Sequence, residues 1–160
     1  MVAPKADGGR GMAGWRMIRY EHTQRGAVLL ATFLVTALFL LALGMLAPRV
    51  REVLFTLIGI LAMCGFLFSS LTIQITDRAL RWQFGPGIIR KEVPLHDIEK
   101  AEVIGTTFLQ GWGIHYTTRG WLYNVSGFQA VAVRLKSGKQ FLLGTDEPER
   151  LQAALLHALS

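Results

Sequence analysis

The sequence predicts a transmembrane α-helical hairpin followed by a mainly-β domain of about seven antiparallel strands with a C-terminal capping helix. Three observations lead there. Two uncharged apolar runs, 26–47 and 53–71, lie five residues apart near the start of the 160-residue chain. From residue 72 the apolar period changes to two. Near the C-terminus helical spacing returns behind Asp146-Glu147-Pro148-Glu149.

A bilayer core of ~30 Å takes about 20 helical residues at ~1.5 Å each, and the two runs supply 22 and 19. Core helices of soluble proteins rarely run this long without a polar face. The polar members, Thr32, Thr36, Thr56, Ser69 and Ser70, carry hydroxyls that can bond the helix's own carbonyls. The five residues 48–52 have room only to reverse the chain, so the spans form an antiparallel hairpin occupying 20–71. Gly44, Gly59, Ala62 and Gly65 offer small surfaces where the helices can approach. The single cysteine, Cys64, falls inside the second span and excludes an intrachain disulfide framework.

Flanking charge sets the orientation. Lys5, Arg10, Arg16, Arg19 and Arg25 precede the first span, and Arg78, Arg81, Arg90 and Lys91 follow the second. The loop offers only Arg49 and Arg51, with Glu52 beside them. Both termini are therefore expected in the cytoplasm. The net charge of +6 is half accounted for by the segment before residue 26, and residues 72–160 carry only +2 with the signs interspersed. That distribution argues against a nucleic-acid partner and for attraction of the tail to anionic lipid. Residues 1–19 read as a disordered basic tail, and Met17 is an alternative start.

Residues 72–160 form the soluble domain. Ile73 and Ile75 alternate with Thr72, Gln74 and Thr76, and Leu80, Trp82 and Phe84 alternate with Arg81 and Gln83 across an Asp77-Arg78 turn. Gly85-Pro86-Gly87 turns the chain into a strand over 88–94, and 98–104 is a fourth strand. Residues 112–117 and 121–125 form a hairpin across Thr118-Arg119-Gly120. Val131, Val133 and Leu135 precede a Ser137-Gly138 turn, and Phe141 and Leu143 return. Asp146 then reads as a helix N-cap with Glu149 at capping-box spacing, Pro148 in the first turn, and Leu151, Ala154, Leu155 and Ala158 as the apolar stripe.

The order of seven short strands and one closing helix resembles a pleckstrin-homology (PH) domain. The segments LRWQFGPGIIRKEVP (80–94), GWGIHYTTRGWLYNVSG (111–127) and GTDEPERL (144–151) resemble small bacterial membrane proteins with two transmembrane helices and a bacterial PH-like domain. The resemblance runs from residue 20 to the C-terminus. It implies a multi-pass protein of the bacterial inner membrane and a PH-like fold, and no specific activity. The first strand–strand connection, 76–79, is too short for the basic loop of phosphoinositide-binding PH domains, and residues 147–160 lack their helix tryptophan.

No catalytic motif is present, and no enzyme activity or cofactor is expected. His22, His96, His115 and His157 are scattered without metal-ligand spacing. Two spans without internal charge leave no transport pathway within one chain. Asn124-Val125-Ser126 matches a glycosylation acceptor, but Asn124 and Gly127 read as a turn. The stretch 108–127 gathers Trp112, His115, Arg119, Trp121, Tyr123 and Asn124, either as a partner surface or as core. The expected partners are the lipid bilayer and another membrane protein or a second copy of the chain. In the alternative reading, Arg16, Arg19, Arg25, Arg78, Arg81, Arg90 and Lys91 contact lipid headgroups.

Overall fold

The computed structural model describes residues 17–106 and 113–160. The chain begins with a strand, β1 (Ile18–Arg25). Two long helices follow, α1 (Ala27–Leu46) and α2 (Arg51–Leu67), joined by a 3₁₀ turn at Pro48–Val50. Strands β2 (Ser70–Thr76), β3 (Ala79–Phe84), β4 (Ile89–Pro94), β5 (Ile98–Gly105), β6 (Gly113–Thr117), β7 (Gly120–Asn124), β8 (Gln129–Leu135) and β9 (Gln140–Gly144) precede the closing helix α3 (Pro148–Leu159).

Strand β1 corrects the sequence reading. The sequence places residues 18 and 19 in a tail and 20–25 in the hairpin, yet Ile18–Arg25 pairs antiparallel with β2, from Ile18 opposite Thr76 to Arg25 opposite Ser70. The β-sheet domain therefore takes residues from both sides of the hairpin and does not begin at residue 72. Glu21, Thr23 and Arg25 point outward while Tyr20, His22 and Gln24 point inward, a period of two carried by polar residues. The helical hairpin is thus an insertion between two hydrogen-bonded neighbouring strands.

The described helices are long and apolar enough to cross a membrane, as Ala27–Leu46 and Pro48–Leu67. The second helix ends four residues before the expected boundary, because Phe68 leaves helical geometry and Ser70 enters the sheet. Leu34, Phe39, Leu46, Met63 and Phe66 are among the many large apolar side chains that the hairpin exposes. An exposed apolar surface of this extent is consistent with helices that face hydrocarbon. Thr32, Thr36 and Thr56 donate to the carbonyls of Val28, Thr32 and Glu52, so no hydroxyl among them is left unpaired. The helices close at both ends through glycine: Gly44 packs on Leu54, and Gly65 on Leu30 and Phe33. Among the described residues, none comes within 4 Å of where a Cβ on Gly59 would stand.

Two sheets form the domain. The first has order β1-β2-β3-β4 and the second β5-β8-β9-β7-β6. The described strands number nine rather than about seven, and β7 runs parallel to β9, where an all-antiparallel arrangement was expected. Leu71, Ile73, Leu80, Trp82 and Phe84 from the first sheet meet Tyr123, Val131, Val133, Phe141 and Leu143 from the second in one core. Trp82 anchors it, stacked on Phe141 at 4.8 Å and edge-on to Tyr123 at 5.2 Å. Leu151 and Leu155 of α3 are fully buried in the same core with Ala154 and Ala158 beside them, as the apolar stripe predicts.

The helix start differs from the predicted capping box. Glu147 occupies the N-cap position, Pro148 opens the helix, and no side chain caps it. Asp146 is engaged elsewhere: its Oδ1 lies 2.6 Å from His22 Nε2. Thr145 Oγ1 accepts from the Glu147 amide at 3.1 Å and takes over the local turn.

Candidate functional site

The first sheet works as a ruler measured from the helix ends. Gly26 and Ser69, the residues flanking α1 and β2, are hydrogen-bonded at 2.9 Å. Gly85, in the β3–β4 turn, lies so close under α2 that an added Cβ would stand 2.6 Å from the Phe66 carbonyl oxygen. At about 3.3 Å per residue, the Thr72 row lies ~7 Å beyond Ser70, the Gln74 row ~13 Å, and Thr76 ~20 Å.

The outward-facing residues then sort by distance. Arg25 pairs with Ser70 at the helix end. The next row is Thr23, Thr72, Gln83 and Arg90, tied by a 2.9 Å contact between the Thr23 and Thr72 hydroxyls. The third row is Glu21, Gln74, Arg81 and Glu92, where Arg81 Nη2 meets both Glu92 oxygens at 2.8 and 2.9 Å. Arg19 and Arg78 lie at the far end, beside Thr76. The seven cations grouped by sequence are therefore not one cluster: Arg25, Arg90 and Lys91 sit nearest the helices, Arg81 is neutralised by Glu92, and Arg16 lies outside the described residues.

Thr72, Gln74, Arg81, Gln83, Arg90 and Glu92 are among the residues lining a shallow cavity of about 360 Å³ on this outer face, and Lys91, which stands opposite Trp82 on the edge strand β4, lines it too. Arg81 Nε is buried without a hydrogen-bond partner among the described residues. Neither Arg90 nor Lys91 forms an ion pair among the described residues, although both are exposed. Sequence reasoning named three of these cations but missed the groove, because the alternation of Thr72, Gln74 and Gln83 reads only as a solvated face.

The aromatic stretch divides. Trp112 lies outside the described residues. Tyr123 is core, and burial raises its phenol pKa. Asn124 is buried and structural: its Oδ1 accepts from the Ser126 amide at 3.1 Å and its Nδ2 donates to the Gly127 carbonyl at 3.4 Å, the expected turn. His115 is half-buried opposite Leu122, with Nε2 unpaired among the described residues and its pKa lowered by burial. Arg119 sits in the β6–β7 turn, where its amide donates to Thr117 Oγ1 at 3.2 Å. Trp121 is 48% exposed and packs edge-on to Tyr116, 72% exposed, at 5.6 Å. This pair lies toward the Thr117–Gly120 end of the hairpin, opposite the Gly113–Asn124 end. The Gly113–Asn124 end joins the helices through Val125, which an added Cβ on Gly26 would touch at 3.4 Å.

One polar cluster was not anticipated. His22 Nε2 contacts Asp146 and its Nδ1 lies 3.5 Å from Glu147 Oε2, so β1 holds the start of α3. Separately, Lys100 pairs with Glu102 and holds that carboxyl below the usual carboxylate range. Among the described residues no group of three His, Cys, Asp or Glu side chains is placed to hold a metal ion. Comparison with family models, curated proteins and solved structures finds no match to this chain.

Proposed function

We propose that the chain is a non-enzymatic, membrane-anchored module whose PH-like domain presents a binding or scaffolding surface at the cytoplasmic face, to a protein partner or a second copy of itself. The observation that carries this reading is the insertion of the helical hairpin between β1 and β2. Two adjacent strands continue into the two helices, so the domain is held at two points and cannot swivel as it would on one linker. A module held in that way has a defined near end and far end. The exposed Tyr116–Trp121 pair lies at the far end, where aromatic side chains serve protein recognition. The bias of flanking cations supports cytoplasmic termini in a bacterial inner membrane.

Single-cysteine labelling in oriented vesicles tests the arrangement. In a Cys64→Ser background, Ser137→Cys is expected to react from the cytoplasmic side and Arg49→Cys from the opposite side. The reverse pattern would exclude it. A photo-crosslinking residue at position 116 should give a discrete adduct in native membranes, and a smear or no adduct counts against a partner surface. A lipid-headgroup role is the second reading, favoured by Arg25, Arg90 and Lys91 and not by Arg19 or Arg78.

A further inference from the structure

We infer that the groove on the outer face of the first sheet binds the phosphate of an anionic lipid headgroup, with Arg90 and Lys91 as the charged contacts and Thr72 and Gln83 as neutral ones. The inference rests on the membrane-anchored reading above and adds a ligand to it.

Position comes first. The headgroup layer adds roughly 5–8 Å to each side of the hydrocarbon core. The Thr72–Gln83–Arg90 row begins ~7 Å beyond the strand start, within reach of that layer. The β3–β4 turn abuts the last turn of α2, and Ile88 at its end is 69% exposed. Reading away from the helices, the chain therefore presents an apolar tip and then two cations, the order that the hydrocarbon–headgroup boundary favours.

Charge comes second. The row nearest the helices after Arg25 contains no acid, and acids enter only in the next row as Glu21 and Glu92. Glu92 is matched by Arg81. Arg90 in that row and Lys91, the next residue along the edge strand, carry no ion pair among the described residues, so the groove lining keeps two uncompensated cations toward its helix-proximal end. Thr72 on β2 and Gln83 on β3 supply hydrogen-bonding side chains beside Arg90, and Arg81 Nε is a further donor unpaired among the described residues. A donor-rich pocket of one net sign suits a phosphodiester.

The test uses the full-length protein in detergent, titrated with phosphatidylglycerol or phosphatidylcholine and read by native mass spectrometry. Wild type is expected to retain phosphatidylglycerol preferentially. The double variant R90Q/K91Q should lose about tenfold in that preference, since each cation near an anionic surface contributes measurably. R90K/K91R should keep it, and R78Q, at the far end of the same sheet, should match wild type. Equal retention of both lipids by wild type, or an undiminished preference in R90Q/K91Q, overturns the site. Displacement of the lipid by equimolar glycerol phosphate overturns its lipid source in favour of a free-phosphate site. Thermal melts of each variant check folding, and R90K/K91R carries the comparison if R90Q/K91Q melts early. Loss of the site in protein that still fractionates with membranes leaves the anchoring reading standing; loss of fractionation removes that reading instead.

Discussion

The Gly26 amide donates to the Ser69 carbonyl at 2.9 Å, joining the residue before α1 to the residue before β2. One bond thereby draws the two ends of the helical hairpin together where the sheet begins. Gly26 has an ordinary φ of −79°, so its lack of a side chain matters for space rather than conformation. A Cβ there would stand 2.9 Å from the Phe68 carbonyl oxygen and 3.4 Å from Val125 Cβ. Gly26→Val is expected to cost about 1–3 kcal/mol through overpacking. Denaturant unfolding in micelles measures it, and an unchanged midpoint would remove the clamp from the account.

Tyr20 supplies a pH-dependent prediction. Its hydroxyl is buried without a partner among the described residues. Burial, reinforced by the Glu147 carboxylate, pushes its pKa up to about 12 against the opposing pull of Arg150. In the unfolded chain a tyrosine ionises near pH 10. The folded state therefore holds the neutral phenol, and its stability is complete below about pH 10 and lost progressively as pH rises toward 12. Tyr20→Phe removes this loss and an unpaired buried hydroxyl at once. It should be neutral or slightly stabilising at pH 7, with a shallower decline above pH 10. Unfolding midpoints that fall in parallel for both proteins would refute it.

Much of this fold was legible because long apolar runs and strict alternation are local signals. The helices, the 113–124 hairpin, the Ser137-Gly138 turn and the Leu151–Leu155 stripe all follow from spacing within one segment. Strand β1 was not legible. Its inward residues are Tyr20, His22 and Gln24, and its partner β2 lies beyond two helices in sequence. The capping box failed for a related reason, since the competitor for Asp146 is His22, at the other end of the chain. The groove cations were visible as charges, but their rank by distance from the helices exists only once register is known. The parallel β7–β9 pair is likewise a property of tertiary pairing.

Asn124 and Gly144 form a second tight pair. A Cβ on Gly144 would fall 2.2 Å from Asn124 Oδ1 and 2.8 Å from Asn124 Cβ. Gly144→Ala is therefore expected to cost more than about 2 kcal/mol. Asn124→Ala alone should cost about 1–2 kcal/mol, because the Ser126 amide loses its acceptor. Shortening Asn124 partly relieves the clash, so the double variant should be less unstable than the sum by about 1 kcal/mol. Additive losses in a denaturant-based double-mutant cycle would show that the two residues do not compete for space.

Trp121 and Tyr123 are two residues apart on β7, and their substitutions should separate surface from core. Tyr123 is 6% exposed and packs on Trp82 and Phe84, at ring distances of 5.2 and 6.4 Å. Tyr123→Ala leaves a cavity at the junction of the two sheets and is expected to cost about 3–5 kcal/mol. Trp121 touches the edge-strand residue Tyr116 and keeps nearly half its surface open. Trp121→Ala should cost about 1 kcal/mol or less, the worth of one exposed cross-strand aromatic pair. The two variants also differ in a readout that stability does not move. If the far end recognises a protein, Trp121→Ala abolishes the crosslinked adduct formed from position 116 while its melting curve stays near wild type. Adduct retained in a folded Trp121→Ala protein would assign the aromatic pair to sheet stability and leave the partner surface elsewhere.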